Sequence, residues 1–456
     1  MTTVRYTVAQ ALVRYLSVQF TERDGEQQRL FAGIFGIFGH GNVTGIGQAL
    51  EEVGDGLTYY RPQNEQAMVH TAAAFAKMKN RLQTFACTTS VGPGATNMVT
   101  GAALATVNRL PVLLLPGDIF ANRAPHPVLQ QLEYPLSQDM SVNDAFRPVS
   151  RYWDRIQRPE QLIASLPEAM RVLTDPAETG AVTLALPEDV QAEAYDFPTL
   201  LFEPRVWRVR RPVPDSADLQ AAAGLIADAK NPLIVCGGGV IYSDASSALD
   251  KFATGFGIPV AETQAGKGAL PWNHSWNVGP IGAAGGLAAN RLAHDADLVI
   301  AIGTRLADFT TSSRTAFQHP DVRIIGINVS SFDAYKWNAL PLVGDARETL
   351  SAISGLLDST TNIQLPAQRQ ARVKSLKSEW DSAVDALIAP AADTELTQAQ
   401  VIGSVNEAAG TDGIVVCAAG GLPGDLLKLW RPLDPKGYHV EYGYSCMGYE
   451  IAGGLG

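Results

Sequence analysis

Short apolar runs alternate with helical patterns along most of the chain. The runs LFAGIFGIFG, LQTFACTTS, LPVLLLPGD and GAVTLALPEDV predict buried strands, and LTYYRP predicts a further strand. Between them, TGIGQALEEV, EQAMVHTAAAFAKMK and GATNMVTGAALATVN have the spacing of helices. Strands separated by helices favour right-handed crossovers and a parallel sheet covered on both faces. We therefore predict an α/β protein with doubly wound parallel sheets.

This alternation occurs in three blocks, which predicts three domains with the third incomplete. Residues 1–196 form the first block, and residues 197–215, rich in proline and arginine, are typical of a linker. Residues 216–355 contain the strand patterns NPLIVCGGGVI, ADLVIAIGTRL and VRIIGINVS. Residues 356–395 predict a charged helical connector. Residues 396–456 begin a third block with a helix and the strand GIVVCAAGG.

Composition limits the partners of the chain. The 456 residues are too many for one ordinary core. A net charge of -11 argues against nucleic acid or an anionic membrane as the main partner. The amphipathic start MTTVRYTVAQALVRYLSVQF has no continuous apolar core and predicts a cytoplasmic protein without a signal peptide. The four cysteines lie in apolar settings without a CxxC pair, so we expect reduced, buried thiols.

Two glycine-rich stretches follow predicted strands. In SVGPGATN, Gly92 lies in the turn and Asn97 in the first part of the following helix. Such glycines let backbone N–H groups approach a ligand, although a tight turn without a ligand would have the same sequence. CGGGVIYSDA does not fit the dinucleotide pattern, and we interpret it as a crowded turn.

The order of motifs resembles a known class of enzymes. A strand, NEQ, an alanine-rich helix, a strand, GPGATN, a helix and PVLLLPGD together resemble the pyrimidine-binding domain of thiamine diphosphate enzymes, which include acetohydroxyacid synthases and pyruvate decarboxylases. The second block is similar to their middle domain and the third to the beginning of their diphosphate-binding domain. The longer runs GIFGHGNVTGIGQALEE, PVLQQLEYP, KGALPWNHSWNVGPIGAAGG and YSCMGYEIAGGLG resemble the trihydroxycyclohexane-1,2-dione hydrolases of myo-inositol catabolism.

The resemblance implies hydrolytic cleavage of a C–C bond in a cyclic 1,2-dione, with 5-deoxy-glucuronate as product. Two alternatives stay open at this point. One is condensation or decarboxylation of 2-oxoacids, as in the synthases. The other is a fragment or binding module that keeps the fold without catalysis.

The resemblance also assigns residues to the cofactor. The glutamate that matches Glu65 hydrogen-bonds to the aminopyrimidine ring and favours the imino tautomer, whose nitrogen deprotonates thiazolium C2. Without the resemblance, Glu65 would be a helix-start carboxylate favoured by the helix dipole. Gly420 and Leu422 match the segment that binds the aminopyrimidine and supports the bent cofactor; a plain glycine turn is the alternative. Met447 matches a second pyrimidine contact, with core filler as the alternative.

Two further residues are catalytic candidates. Gln130 matches an active-site glutamine of the synthases, whereas a surface glutamine is the alternative. His40, in FGHGN, lies at the C-terminal end of a predicted strand, where it could carry a proton during ring opening. A turn histidine with satisfied hydrogen bonds is the alternative. We interpret His70 as structural and Lys267 as a solvated loop lysine.

No metal ligand is predicted within the chain. In the family, a GDG motif followed by asparagine holds magnesium and the diphosphate. The GDG at residues 54–56, with Asn80 after it, follows a helix and precedes a strand, whereas ligands of such sheets bind at the C-terminal ends of strands. The family motif lies beyond the position of Gly456, so we expect this chain to be part of a longer enzyme.

The resemblance implies thiamine diphosphate and Mg²⁺ as cofactors. FAD, which some relatives hold against the middle domain, is permitted by CGGGV but not required. The implied partners are a small cyclic dione and a second copy of the chain, in a homodimer or a dimer of dimers with the active site at the interface. Neither nucleic acid nor a membrane is expected.

Overall fold

The computed structural model describes residues 2–358, 366–390 and 395–456. Part of the predicted connector, at residues 359–365 and 391–394, lies outside the described residues. In the described part, no helix combines the length and the apolar character needed to span a bilayer.

Strands and helices alternate as the sequence predicts. The strands are β1 Thr3–Thr7, β2 Gln19–Arg23, β3 Glu26–Arg29, β4 Phe31–Gly36, β5 Tyr59–Tyr60, β6 Thr84–Thr89, β7 Val112–Asp118, β8 Tyr152–Arg155, β9 Ala181–Pro187, β10 Ala194–Pro198, β11 Arg205–Arg208, β12 Pro232–Cys236, β13 Val260–Glu262, β14 Asn277–Pro280, β15 Leu298–Ile302, β16 Arg323–Asn328, β17 Leu340–Val343, β18 Val415–Cys417 and β19 Tyr438–Val440. The helices are α1 Val8–Ser17, α2 Gln48–Val53, α3 Glu65–Met78, α4 Pro93–Asn108, α5 Leu162–Thr174, α6 Glu188–Ala192, α7 Ser216–Asp228, α8 Gly238–Tyr242, α9 Ser246–Phe256, α10 Leu287–His294, α11 Ser331–Ala334, α12 Ala346–Asp358, α13 Ala367–Ile388, α14 Gln398–Ala409, α15 Leu422–Leu429 and α16 Tyr449–Leu455.

The described residues fall into two compact units. The first contains residues up to Arg210 together with Gly443–Gly456, and the second contains Arg211–Tyr442. The predicted third block is therefore divided between the two units. The segment predicted as a linker contains β11, which pairs in parallel with β2 of the first unit.

The first unit is built on a six-stranded sheet in the order β5-β4-β6-β7-β9-β8. All of its neighbouring strands pair in parallel, which confirms the predicted fold class. Alternate residues of the central strands pack with α1, α2 and α5 in one apolar core. From β4 the chain first adds β5 on one side and then β6 on the other. The strand order thus reverses between β4 and β6, and ligands of such sheets bind beyond the carboxyl ends of the strands at this point.

The final helix of the chain belongs to this first unit. Helix α16 packs against α3, where the Thr71 hydroxyl donates to the Ala452 carbonyl oxygen at 3.1 Å. The His70 ring lies 5.5 Å from the fully buried ring of Tyr449. His70 is therefore structural, as predicted.

The second unit has a six-stranded parallel sheet in the order β14-β13-β12-β15-β16-β17. Its strand order reverses between β12 and β15. Strands β18 and β19 form a separate two-stranded parallel sheet in the same unit. A small apolar core that includes Val384, Ile402, Leu426 and Trp430 covers this sheet.

Candidate active site

Glu65 begins helix α3 after the edge strand β5, and its carboxylate reaches the end of β6, beside the point where the strand order reverses. The Asn64 side chain caps the helix by accepting a hydrogen bond from the Ala67 amide at 3.0 Å. The half-buried Glu65 carboxylate accepts hydrogen bonds from Thr89 Oγ1 at 3.2 Å and from Asn97 Nδ2 at 3.1 Å. Because Thr89 ends β6 and Asn97 lies near the start of α4, two consecutive elements fix the orientation of one carboxylate. The structure thus brings the predicted residues Glu65 and Asn97 together.

The turn between β6 and α4 has no room for side chains. A Cβ at Gly92, whose φ is +70°, would lie 1.9 Å from the main-chain oxygen of Gln130. A Cβ at Gly94 would lie 2.3 Å from Thr89 Oγ1 and 3.1 Å from Glu65 Oε1. The glycines therefore let main chain approach both the carboxylate and the Gln130 loop. The Gln130 side chain itself is exposed.

The loop after β4 lies across the carboxyl ends of the neighbouring strands. The His40 carbonyl accepts a hydrogen bond from the Val91 amide at 2.9 Å. Gly41, with φ +99°, approaches Val91 and Gly117 so closely that a Cβ at either glycine would clash. The Gln191 side chain donates to the Gly41 carbonyl oxygen. His40 is therefore held beside the Gly92 turn, at the edge of the sheet that the sequence predicts.

Helix α6 begins beside His40. Glu188 Oε2 lies 3.2 Å from His40 Nε2, although the two groups are not aligned as a hydrogen bond. The next residue, Asp189, accepts hydrogen bonds from the Ala121 and Asn122 amides at 2.9 and 3.0 Å. Sequence reasoning missed Glu188. The signal that was present is an acidic pair placed directly after a buried strand.

A buried ion cluster holds the far end of the loop that carries Gln130. Arg155 Nε donates to Asp118 Oδ2 at 2.7 Å, and Arg155 and Asp118 are only 6% and 1% exposed. Arg155 Nη2 donates to Asp144 Oδ2 at 2.7 Å and to Ser141 Oγ at 3.0 Å. Burial alone would lower the pKa of Arg155, but the charges of Asp118 and Asp144 outweigh it and raise that pKa. The segment between Asp118 and Ser141 is thus fixed at both ends.

Three predicted cofactor residues lie on open parts of the chain. Gly420 follows β18 with φ +83°, and a Cβ there would meet no atom within 4 Å. Leu422 begins α15 and is 45% exposed. Met447 is 84% exposed and does not fill a core, which was the alternative to its predicted contact with the cofactor. Gly420 and Leu422 belong to the second unit and Met447 to the first. A role for these three residues in binding the cofactor stays a prediction.

The prediction for Lys267 is wrong. It is not a solvated loop lysine: the side chain is 3% exposed, and its Nζ lies 2.7 Å from Glu262 Oε1. The loop after β13 turns back over the end of its own strand, which brings the two charges together inside the second unit. The four cysteines are free and buried, as predicted.

The remaining glycine motifs are structural. GDG, at Gly54–Gly56, forms a single turn between α2 and the amino end of β5, the position expected from the sequence. Within the described ranges, no group of three or more His, Cys, Asp or Glu side chains is placed to hold a metal ion. Gly237 and Gly239 pack so closely on Gly303 that a Cβ on either would clash, and their amides donate to main-chain oxygens of β15 and Gly303. CGGGV is therefore a crowded turn, as predicted.

The chain is similar in sequence to known enzymes. Residues 28–138 match the family model "Thiamine pyrophosphate enzyme, N-terminal TPP binding domain", and residues 219–353 match "Thiamine pyrophosphate enzyme, central domain". The chain is 50% identical, over 480 aligned residues, to the "3D-(3,5/4)-trihydroxycyclohexane-1,2-dione hydrolase" of Bacillus cereus (strain AH820). It is 49% identical to the protein of that name from Bacillus thuringiensis (strain Al Hakam). Each alignment covers 100% of this chain and 74% of the relative. The chain therefore belongs to the thiamine pyrophosphate enzymes and, among them, to the 3D-(3,5/4)-trihydroxycyclohexane-1,2-dione hydrolase family.

Proposed function

We propose that this protein, with thiamine diphosphate bound, hydrolyses a C–C bond of a hydroxylated cyclic 1,2-dione in myo-inositol breakdown and releases 5-deoxy-glucuronate. The names of its relatives support the substrate class. One observation carries the proposal: the Glu65 carboxylate is held by Thr89 and Asn97 where the strand order reverses.

The residues present fit the cofactor. Gly94 keeps the space beside the Glu65 carboxylate free of a side chain, and the open backbone at Gly420 leaves its peptide accessible. We infer that Glu65 would bind the aminopyrimidine ring nitrogen, with Gly420 and Met447 as further contacts. The exposed Leu422 side chain would support the bent cofactor. Bound thiamine diphosphate would supply the carbon nucleophile that adds to one of the two carbonyls.

Glu65 holds a proton at a fixed position in this proposal. Its two oxygens are each restrained by one donor, so the carboxylate cannot rotate freely away from the ring nitrogen. Mg²⁺ enters the proposal because the diphosphate needs a cation, and we assign it no ligand among the described residues. FAD is not part of the proposal, because the Gly237 and Gly239 amides are already bonded to main chain.

His40 and Gln130 act on the substrate side. His40 lies at the carboxyl edge of the sheet, beside the Gly92 turn, and would deliver the proton to the carbon that leaves on ring opening. The main chain of Gln130 packs on Gly92, which places its exposed side chain beside the same turn. We propose that Gln130 contacts the substrate there.

The test uses the full-length enzyme with thiamine diphosphate and Mg²⁺. Loss of the trihydroxycyclohexane-1,2-dione and consumption of pyruvate are measured separately. The Glu65→Gln variant should lower kcat for the dione by about 10²–10⁴. The matched control is Glu168→Gln, which alters an exposed glutamate paired with Arg171 on the surface, and it should leave kcat unchanged. A Glu65→Gln enzyme with the unaltered rate, or an enzyme that prefers pyruvate, would refute the proposal.

We also propose that the enzyme is a homodimer or a dimer of dimers. Support comes from apolar side chains exposed along one loop: Leu129, Leu132, Tyr134, Leu136 and Met140. Sedimentation velocity of the full-length enzyme tests this proposal, and a monomer at micromolar concentration would contradict it.

A further inference from the structure

Strand β6 ends in a buried threonine whose hydroxyl faces the candidate site. Thr84, Thr88 and Thr89 of this strand are each 0% exposed. The hydroxyls of Thr84 and Thr88 donate to main-chain oxygens at or next to the neighbouring strand β7. Thr89 Oγ1 instead donates to Glu65 Oε1 at 3.2 Å. The last threonine of the strand is therefore bonded to a side chain of the site, whereas the other two are bonded to main chain.

The direction of the Thr89 hydroxyl is fixed by its surroundings. Because the side chain has no exposed surface, the hydroxyl cannot exchange its acceptor for water, and a buried hydroxyl without a partner destabilises a protein. Two substituents on Cβ also restrict rotation of the threonine side chain. Gly94 leaves room for the hydroxyl, since a Cβ at that residue would lie 2.3 Å from Thr89 Oγ1. The donor is thus directed at the Glu65 carboxylate before a cofactor binds.

The two donors of the Glu65 carboxylate differ in their exposure to water. Asn97 Nδ2 donates to Glu65 Oε2 at 3.1 Å from an exposed side chain, so water can replace this amide if it is removed. The buried hydroxyl of Thr89 has no such substitute. Orientation of the carboxylate therefore depends more on Thr89 than on Asn97.

We propose that Thr89 is a positioning residue of the reaction, whose hydroxyl fixes the rotation of the Glu65 carboxylate so that this group meets the cofactor ring in one orientation. This inference rests on the proposed function for the role of Glu65. Thr89 itself touches neither cofactor nor substrate, because its side chain is fully buried. A displacement of about 1 Å in a group that takes part in catalysis can lower a rate about a hundredfold. Loss of the hydroxyl should therefore lower kcat and leave KM for the dione nearly unchanged.

A double-mutant cycle in the full-length holoenzyme tests the proposal. Thr89→Val keeps the shape of the side chain without the hydroxyl, and it should lower kcat for the dione about ten- to hundredfold with KM within about twofold. Thr89→Ser restores a hydroxyl and should recover most of kcat. In a Glu65→Gln background, Thr89→Val should change kcat by less than about twofold, because Thr89 acts only through Glu65.

Near-ultraviolet circular dichroism of the bound cofactor gives a second readout that needs no turnover, because the spectrum of the aminopyrimidine changes with its tautomer. Thr89→Val should change this spectrum and Thr89→Ser should keep it. Thr89→Ala also lacks the hydroxyl and should behave as Thr89→Val does, so it gives the result if the valine variant does not fold. The matched control is Thr84→Val, which removes an equally buried hydroxyl at the other end of β6 and should change neither kcat nor the spectrum.

Three outcomes would overturn the inference. Thr89→Val could keep the unaltered kcat and spectrum, it could lower kcat equally with and without Glu65, or Thr89→Ser could fail to recover the rate. The second result would mean that Thr89 only supports the fold. Failure of the proposed function would be visible separately, because Glu65→Gln alone would then keep the unaltered kcat.

Discussion

Replacing Arg155 with methionine should destabilise the first unit by about 3–5 kcal/mol, the usual result of removing one partner of a buried ion pair. The structure explains why a loss of this size is expected. Asp118 is 1% exposed, and its Oδ2 would lose the Arg155 Nε–H at 2.7 Å. The guanidinium also donates to Asp144, to Ser141 and to the Asp139 carbonyl, and all of these contacts would vanish together.

Differential scanning calorimetry of the full-length enzyme measures the effect. For a unit of this size, about 2–4 °C of Tm is lost per kcal/mol, so the transition of the first unit should fall by roughly 6–20 °C. The matched control is Arg151→Met. Arg151 lies 3.8 Å from Glu178, both side chains are well exposed, and such surface pairs contribute about 0–1 kcal/mol.

A double variant separates the effect of the unpaired Asp118 charge from the effect of lost packing. In the double variant Arg155→Met with Asp118→Leu, no buried carboxylate is left without a partner, so much of the stability should return. An Arg155→Met protein within about 1 kcal/mol of the unaltered protein would refute the reasoning. A double variant that is less stable than either single variant would refute it too.

One glycine, one carboxylate and two thiols can each be tested separately. Gly92→Ala should lower the free energy of unfolding by about 2–5 kcal/mol, because the new Cβ combines a positive φ with a clash against the facing loop. The control Gly224→Ala has open space around its Cβ in a helix and should raise the free energy of unfolding by about 0.5–1 kcal/mol. Urea denaturation compares the two variants. Burial alone would raise the pKa of Asp144, but hydrogen bonds from a main-chain amide and two guanidinium groups outweigh it and lower that pKa. Asp144 therefore stabilises the protein above the unfolded-state pKa of about 3.9, and this stabilisation is lost as pH falls through the lower folded-state pKa. In that pH range the Tm of Asp144→Asn should fall less steeply with acid than the Tm of the unaltered protein. Burial raises the pKa of the Cys87 and Cys236 thiols, so iodoacetamide should label them only after unfolding; rapid labelling of the native protein, detected by mass spectrometry, would contradict their burial.

The parallel sheets could be predicted from the sequence because each central strand is a short apolar run between helical patterns. Strand β11 could not, since its sequence Arg205–Arg208 has largely exposed side chains and pairs outside the main sheet. Its pairing with β2 depends on tertiary contacts that no local pattern encodes. The predicted linker therefore contains a strand.

Some residues of the candidate site could likewise be predicted from the sequence, and others could not. Glu65 and Asn97 lie in motifs that follow β5 and β6, whose carboxyl ends lie at the same edge of the sheet, so local patterns were enough to place both residues at that edge. Glu188 reaches His40 only because the loop after β4 crosses two other strands, and sequence spacing does not reveal such a path. Lys267 was misjudged for a related reason, since the return of its loop over Glu262 is a tertiary feature.

The packing of α16 against α3 has a consequence for the order in which the protein is made. Helix α3 begins with Glu65, yet one of its sides is covered by residues that leave the ribosome only after the whole second unit has been synthesised. Until then Thr71 lacks its contact with Ala452, and the surface that receives Tyr449 stays uncovered. The nascent first unit therefore leaves this side of α3, with His70 and Thr71, uncovered during translation. The first unit is complete only after Gly443–Gly456 has been translated, long after the residues up to Arg210.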